Sequence, residues 1–319
     1  MEHSMFTYYI GYSTDNDIRY RSASGGVGST IIKYLLESRK FGTAITFVFN
    51  KKACQYEPKL IFGFSDYNNC GSIYQETGTV EFLKNNLQNI RDGIIVTCMP
   101  CQVRPIRSVL NRNNIRHLII SLCCSGQTTV QGTWLYYSLL GISKEQVDSI
   151  RYRGNGWPSG IQIRLKNGDV IKKDNYTYPW TLVHKSLLFR PKRCLSCTFK
   201  TSPDADISLA DPWLKEYMQN DHVGNSVVIC NETGESLIRE MVDERKLTLK
   251  TVDESVYVSS QLGTIEEKAL ANRNKTFNKI VGMMGANKSL YKRLMTSSPK
   301  LLKLHLRILK VLRRCLVKQ

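Results

Sequence analysis

No stretch of this chain approaches the roughly 18 consecutive apolar residues that a membrane-spanning helix requires. Its first residues, Met1-Glu2-His3-Ser4, hold no basic segment leading into an apolar one, so a secretory leader is not expected. There is no internal repeat and no low-complexity segment, which argues against solenoids, propellers and disordered tracts. The five histidines (3, 117, 184, 222 and 305) fall in no ligand spacing and beside no nucleophile. They are assigned nothing. Acidic residues are missing altogether from Lys268 to Gln319, a segment with 14 Lys and Arg.

What is present suits a soluble globular protein of 319 residues, 42% hydrophobic and 23% charged. A reducing, cytoplasmic setting is expected, at most peripheral at the inner membrane surface. The net charge of +18 is concentrated in the last segment, leaving +4 for residues 1–267 (18 − 14). A nucleic-acid-binding body would spread its basic residues, so no nucleic acid is expected as partner. In the tail, Lys300, Lys303, Arg307, Lys310, Arg314 and Lys318 recur every three or four residues. Leu301, Ile308, Leu312, Cys315 and Leu316 take another face. A basic amphipathic helix of this kind lies on an anionic membrane surface or docks on protein; the sequence leaves both open.

The patterning predicts an α/β fold. Helical periodicity covers Ser29–Lys40, Glu76–Ile90, Val103–Leu110 and Val130–Leu140, alternating with apolar strands at Ala44–Phe49, Gly93–Thr97 and Leu118–Leu122. Such alternation implies a mostly parallel or mixed sheet with flanking helices. Asn167-Gly168 between two alternating runs marks a hairpin, the centre of a small lobe at about 150–190. Asp206–Leu209 and Ser226–Ile229 read as a return to the sheet. A body of 1–263 and a basic helical tail of 264–319 complete the expected organisation.

Six of the ten cysteines form three tight groups: Cys98 with Cys101, Cys123 with Cys124, and Cys194 with Cys197. The first two groups follow predicted strands, where parallel sheets bind ligands. Adjacent residues at a strand end face opposite ways, so only one of Cys123 and Cys124 should reach a shared metal. Cys194 and Cys197 are spaced so that both can ligate, and Arg190 to Arg193 beside them favours thiolate. Four thiolates suit zinc or an iron–sulfur cluster equally on softness alone. Cys54, Cys70, Cys230 and Cys315 are isolated and read as ordinary thiols. A glycine loop, Ser24-Gly25-Gly26, leads into the first strong helix. It fits a phosphate-binding turn or a plain capping turn, and it matches neither G-x-G-x-x-G nor the P-loop. Arg151, Arg153 and Trp157 form a basic, aromatic segment suited to an anionic, ring-bearing cofactor or to a packed turn.

In order and spacing these segments resemble the coenzyme F420 hydrogenase/dehydrogenase beta-subunit family, from about Ser22 to Trp213. The resemblance rests on Ser24-Gly25-Gly26, Pro100-Cys101-Gln102, Cys124-Ser125-Gly126, Arg151 to Trp157, Arg193-Cys194-Leu195-Ser196-Cys197, and Asp206 to Trp213. It implies a flavin- and [4Fe-4S]-dependent oxidoreductase, with Cys101, Cys124, Cys194 and Cys197 as cluster ligands and Cys98 left aside. Ser24, Gly25 and Gly26 become contacts for FAD. Relatives exchange electrons with ferredoxin, deazaflavin F420 or other carriers, act on small molecules including chlorophyll-type pigments, or lie in polysaccharide-synthesis gene clusters.

Two departures stand out. Many relatives have repeated C-x-x-C motifs before the glycine loop, and none precedes Ser22 here. A separate donor such as ferredoxin or a reduced deazaflavin is therefore expected. Ser125 also replaces the family's usual histidine. Two other readings stay open: a non-catalytic electron-relay subunit, and a zinc-stabilised nucleotide-binding transferase. No catalytic residue is assigned.

Overall fold

The structure is a computed structural model describing residues 6–174, 177–217, 224–271 and 274–317. His3, His222, Lys318 and the N-terminal Met1–Ser4 segment lie outside these residues. The chain begins with β1 (Thr7–Ser13), α1 (Asn16–Arg21), α2 (Val27–Glu37), β2 (Thr43–Asn50), β3 (Gln55–Ile61) and α3 (Thr79–Lys84). It continues through β4 (Ile94–Cys98), α4 (Pro100–Arg112), β5 (His117–Leu122) and α5 (Val130–Leu139). The lobe contributes β6 (Val147–Arg151), β7 (Gly160–Leu165), β8 (Val170–Asp174), α6 (Trp180–Lys185) and α7 (Lys192–Leu195). Next come β9 (Ile207–Ala210), β10 (Ser226–Cys230), α8 (Glu232–Asp243), β11 (Leu247–Val252) and α9 (Glu254–Ala271). Helices α10 (Lys275–Met284), α11 (Leu290–Met295) and α12 (Pro299–Leu316) close the described chain.

Eight strands form one mixed sheet in the order β11-β1-β10-β9-β5-β4-β2-β3. Its centre, β2-β4-β5-β9, is parallel, and its margins are antiparallel. Alternation along each central strand divides the core into two layers. Ile95, Leu118 and Ile120 face α2 and α8, packing with Ile31, Leu35, Ile238 and Met241. Ile94, Val96, Cys98 and Ile119 face α4, packing with Val103, Ile106 and Leu110. Burial on both faces is why these strands read as continuous apolar runs. Strands β6, β7 and β8 form a separate antiparallel sheet around Asn167-Gly168, as the hairpin signal indicates.

Besides β6 of the lobe, three strands of the large sheet have no counterpart in the sequence reading. Strand β3 contains Pro58, tolerated because β3 is a sheet edge. Strand β1 contains Gly11, where a Cβ would sit 1.9 Å from the Thr248 carbonyl oxygen. Strand β11 is the opposite edge, mostly exposed. The helix expected over 76–90 is shorter: Gly78 adopts φ +64° and starts α3 at Thr79, and a 3-10 turn follows at Leu87–Asn89. Helix α9 runs unbroken across the expected 263/264 boundary.

The tail packs on the body. Leu302, His305 and Leu309 of α12 are buried, with Leu302 joining the lobe core of Tyr136, Tyr152 and Trp180. His305 Nε2 donates to the Ser186 carbonyl at 2.8 Å, which leaves Nδ1 to accept from the Tyr291 hydroxyl at 2.9 Å. These partners fix a neutral imidazole. No helix among the described residues is long and apolar enough to cross a membrane.

Burial lowers the His305 pKa from its ordinary value of 6.5. The unfolded chain therefore takes up this proton before the folded one, and docking weakens as pH falls below 6.5. Hydrogen exchange in α12, corrected for its intrinsic pH dependence, should speed up below that value. His305→Gln should flatten the response; an equally steep response in that variant would remove His305 as its source.

Candidate redox site

A cavity of about 1020 Å³ opens at the carboxyl ends of the parallel strands. Its walls come from the residues on either side of Gly25 in the glycine loop, the 67–81 segment, the turn after β4, the turn after β5, the Cys194–Lys200 region and α9. Volumes of this order hold cofactor-sized ligands.

Four thiols gather in it from three separate segments. Cys101 lies in the first turn of α4, begun by Pro100 and closed by Gln102, whose side chain accepts from Met99 N at 2.9 Å. Cys124 leaves β5 with its Sγ accepting from Gly126 N at 3.3 Å. Cys194 ends near the close of α7, and Cys197 follows it in the next turn. Cys101 feels Cys197, Cys124 and Cys194, and Cys124 feels Cys194 and Cys197. Their ionisation is shared. A hydrogen bond with the Cys101 thiol, opposed by burial and aided by Lys268, holds Cys197 down to about 5, while Cys101 is pushed up by the same bond. Cys197 is thus the thiolate of the pair.

The other two thiols are packed into the apolar layers at the edge of the cavity. Cys98 alternates with Thr97 on β4, lies 3% exposed in the α4-facing layer, and is pushed up to about 12 by burial, with only Arg107 countering. Cys123 packs with Tyr8 and Tyr257 on the other side of its strand. Both border the cavity wall. Among the described residues, no three Cys, His, Asp or Glu side chains are grouped to hold a metal ion.

The glycine loop meets the cavity unevenly. Ser24 and Gly26 line it, and Gly26 adopts φ +81° at the start of α2 with no side-chain cap. The open first-turn amides of α2 therefore present a partial positive charge to the cavity. Gly25 turns the other way: a Cβ there would lie 2.6 Å from Gly11 O and 2.7 Å from Ser226 N. Its amide donates to Ser226 Oγ at 3.0 Å, and its carbonyl accepts from Ser13 N at 2.8 Å.

Of the basic, aromatic segment only Arg153 lines the cavity. Its guanidinium, 4% exposed as a residue, pairs with Asp211 at 2.6 Å and donates to the Ala23 carbonyl at 2.7 Å. Arg151 is spent on the carbonyls of Asn69 and Arg21, behind the wall. Trp157 is buried against Trp213, ring centroids 5.5 Å apart. These contacts make Arg151 and Trp157 braces of the wall. Asp206 is equally structural, accepting from Ile119 N at 2.7 Å and from Arg107 at 2.8 Å.

Several lining residues carry no sequence signal. Gln75 Nε2 and Gln127 Oε1 are buried at the wall with no hydrogen-bond partner among the described residues, and Gln75 is 1% exposed. Lys200 and Lys268 face the thiols. A lone glutamine in a loop and a lone lysine on a helix form no local pattern, so only the fold could find them.

Two family models cover most of the chain. Residues 8–84 match the coenzyme F420 hydrogenase/dehydrogenase beta-subunit N-terminal region, and residues 91–255 match its C-terminal region. The chain belongs to this family. It is accordingly an oxidoreductase subunit with an electron-transfer role. Among solved structures it is similar to a chain of the F420-reducing [NiFe] hydrogenase complex from Methanosarcina barkeri. That match has a TM-score of 0.62 and 18% identity, covering 89% of this chain and 96% of the other. At that identity the likeness concerns the fold.

Two outcomes follow from the geometry. In metal-free protein, Cys197 should alkylate faster than Cys98 or Cys123 at neutral pH, because its thiolate persists down to about 5 whereas burial keeps the other two protonated. Peptide mass mapping over time reads the order, and prior labelling of Cys98 would refute it. Arg153→Ala leaves Asp211 unpaired in a half-enclosed setting and should cost about 3–5 kcal/mol in denaturant unfolding. A loss within error of zero would show that the pair does not anchor the wall.

Proposed function

We propose that the protein is a flavin- and [4Fe-4S]-dependent oxidoreductase subunit. Cys101, Cys124, Cys194 and Cys197 would hold the cluster, and the cavity beside them would take FAD. The observation that carries this reading is the meeting of four thiols from three distant segments, with Cys98 and Cys123 packed into the apolar layers on either side. A four-iron cluster would receive each of these thiolates on its own iron, and the same four thiolates would also suit zinc, which the metal analysis below distinguishes.

The fit to a flavin rests on the wall. Ser24, Gly26 and the open start of α2 suit a pyrophosphate, while Gln75 Nε2 and Gln127 Oε1 supply a donor and an acceptor otherwise unused. When bound, the two groups together would convert a hydride, two electrons with one proton, into single-electron transfers. The chain's own part is to orient and enclose. Arg153 locks Ala23, Asp211 and the two tryptophans into one wall, and α2 presents its amides without a competing cap.

The cysteines act as ligands, and the electron partner is a separate carrier such as ferredoxin or a reduced deazaflavin, with a small molecule as substrate. The solvent-facing stripe of α12, Lys300, Leu304, Arg307, Val311 and Arg314, supports contact with an anionic surface. Leu304 and Val311 are 44% and 59% exposed on it.

Anaerobic purification followed by absorption and metal analysis tests the assignment. Brown protein with about four irons and bound flavin is expected. Cys101→Ser should lose iron while Cys98→Ser keeps it. Colourless protein with stoichiometric zinc, or equal iron loss in both variants, would sink the ligand set.

A further inference from the structure

The four thiols share their end of the cavity with two lysines. Lys268 lines it from the C-terminal half of α9 and is 5% exposed; Lys200 lines it from the segment before β9. Among the described residues, neither ammonium has a carboxylate within ion-pair distance. Lys268 instead stands beside Cys197 and Cys124, and Lys200 stands beside Cys123 and Cys124 with Asp211 beyond ion-pair distance. The two lysines also repel one another. A buried ammonium with no counter-charge is unfavourable, and a repelling pair is more so. A buried Lys268 is therefore best matched by an anionic group held at the neighbouring sulfurs.

Lys268 lies outside the family match, which ends at residue 255. Its helix is held from the tail side: the preceding residue, Glu267, pairs with Arg313 of α12 at 3.5 Å. The lysine is thus placed by the C-terminal helices of the chain.

We propose that Lys268 is the counter-charge of the four-thiol site and raises the reduction potential of the group bound there. This rests on the reading of the four cysteines as iron–sulfur ligands. Accepting one electron from a donor adds one negative charge to such a site, with no bond made or broken. A fixed ammonium in contact with the sulfurs stabilises the reduced form more than the oxidised one. Net charge and hydrogen bonds to the sulfurs are recognised determinants of cluster potential.

The test uses the full-length protein purified anaerobically, as wild type, Lys268→Gln, Lys268→Arg and Lys288→Gln. Lys288 is an exposed tail lysine away from the cavity and controls for a general change in charge. Iron content is measured first, then the midpoint potential by redox titration followed by absorbance and electron paramagnetic resonance. Lys268→Gln should keep its iron and titrate at a more negative potential. Lys268→Arg should stay near wild type, and Lys288→Gln should match it. Should Lys268→Gln fail to assemble the cluster, iron retention in Lys268→Arg supports the counter-charge. Iron loss from both overturns it. So does an unchanged potential in iron-replete Lys268→Gln. Wild-type protein without iron would overturn the ligand reading itself, and is told apart by being visible before any variant is compared.

Discussion

The cavity depends on one buried guanidinium. Arg153 leaves the lobe sheet, reaches Asp211 just beyond β9, and holds the Ala23 carbonyl in the glycine loop. Those three points are far apart in sequence, and their association fixes where the open end of α2 points relative to the strand ends. Gly25 makes the same junction from the other side, since only a residue without a side chain lets the loop settle against β1 and β10. Polar packing thus shapes the ligand space, while the apolar layers above and below the sheet supply the stability it draws on.

Much of this was legible in the sequence, for physical reasons that also explain what was not. The central strands were visible because both faces are buried, so that Ile94-Ile95-Val96 and Leu118-Ile119-Ile120 read as unbroken apolar runs. Edge strands with Pro58 or Gly11 lack that signature. The period-two rule anticipated that Cys123 and Cys124 would part company. It could not by itself rank Cys98 against Cys101, because the end of β4 is set by the Met99–Gln102 cap, a detail of one turn. Arg151 and Trp157 look identical in sequence to cofactor-binding residues, yet neighbouring carbonyls and Trp213 engage them first. Charge composition separated the basic tail from the near-neutral body but gave no sign that α9 crosses between them.

Electrostatics in the cavity follow a consistent division. Two anions of the wall are paired, Asp211 with Arg153 and Glu76 with Arg193. Lys268 stands beside Cys197 and Cys124, and Lys200 beside Cys123 and Cys124 with Asp211 in the vicinity. Family membership explains the thiols and the glycine loop, which lie inside the matched segments, but Lys268 comes from sequence past them.

Leu195 sits between the two cysteines of the Cys194–Cys197 pair, and its side chain packs into the tail core with Phe277, Val281 and Leu309. It also lies 3.6 Å from the position a side chain would take at Gly282. The last helices and half of the thiol set are therefore mechanically in series. Whatever lifts the tail, whether a protease cut or capture of its basic face by another surface, withdraws the seat of that one leucine. The loop released is the loop bearing two of the four sulfurs, so the far end of the chain has leverage over the four-thiol site.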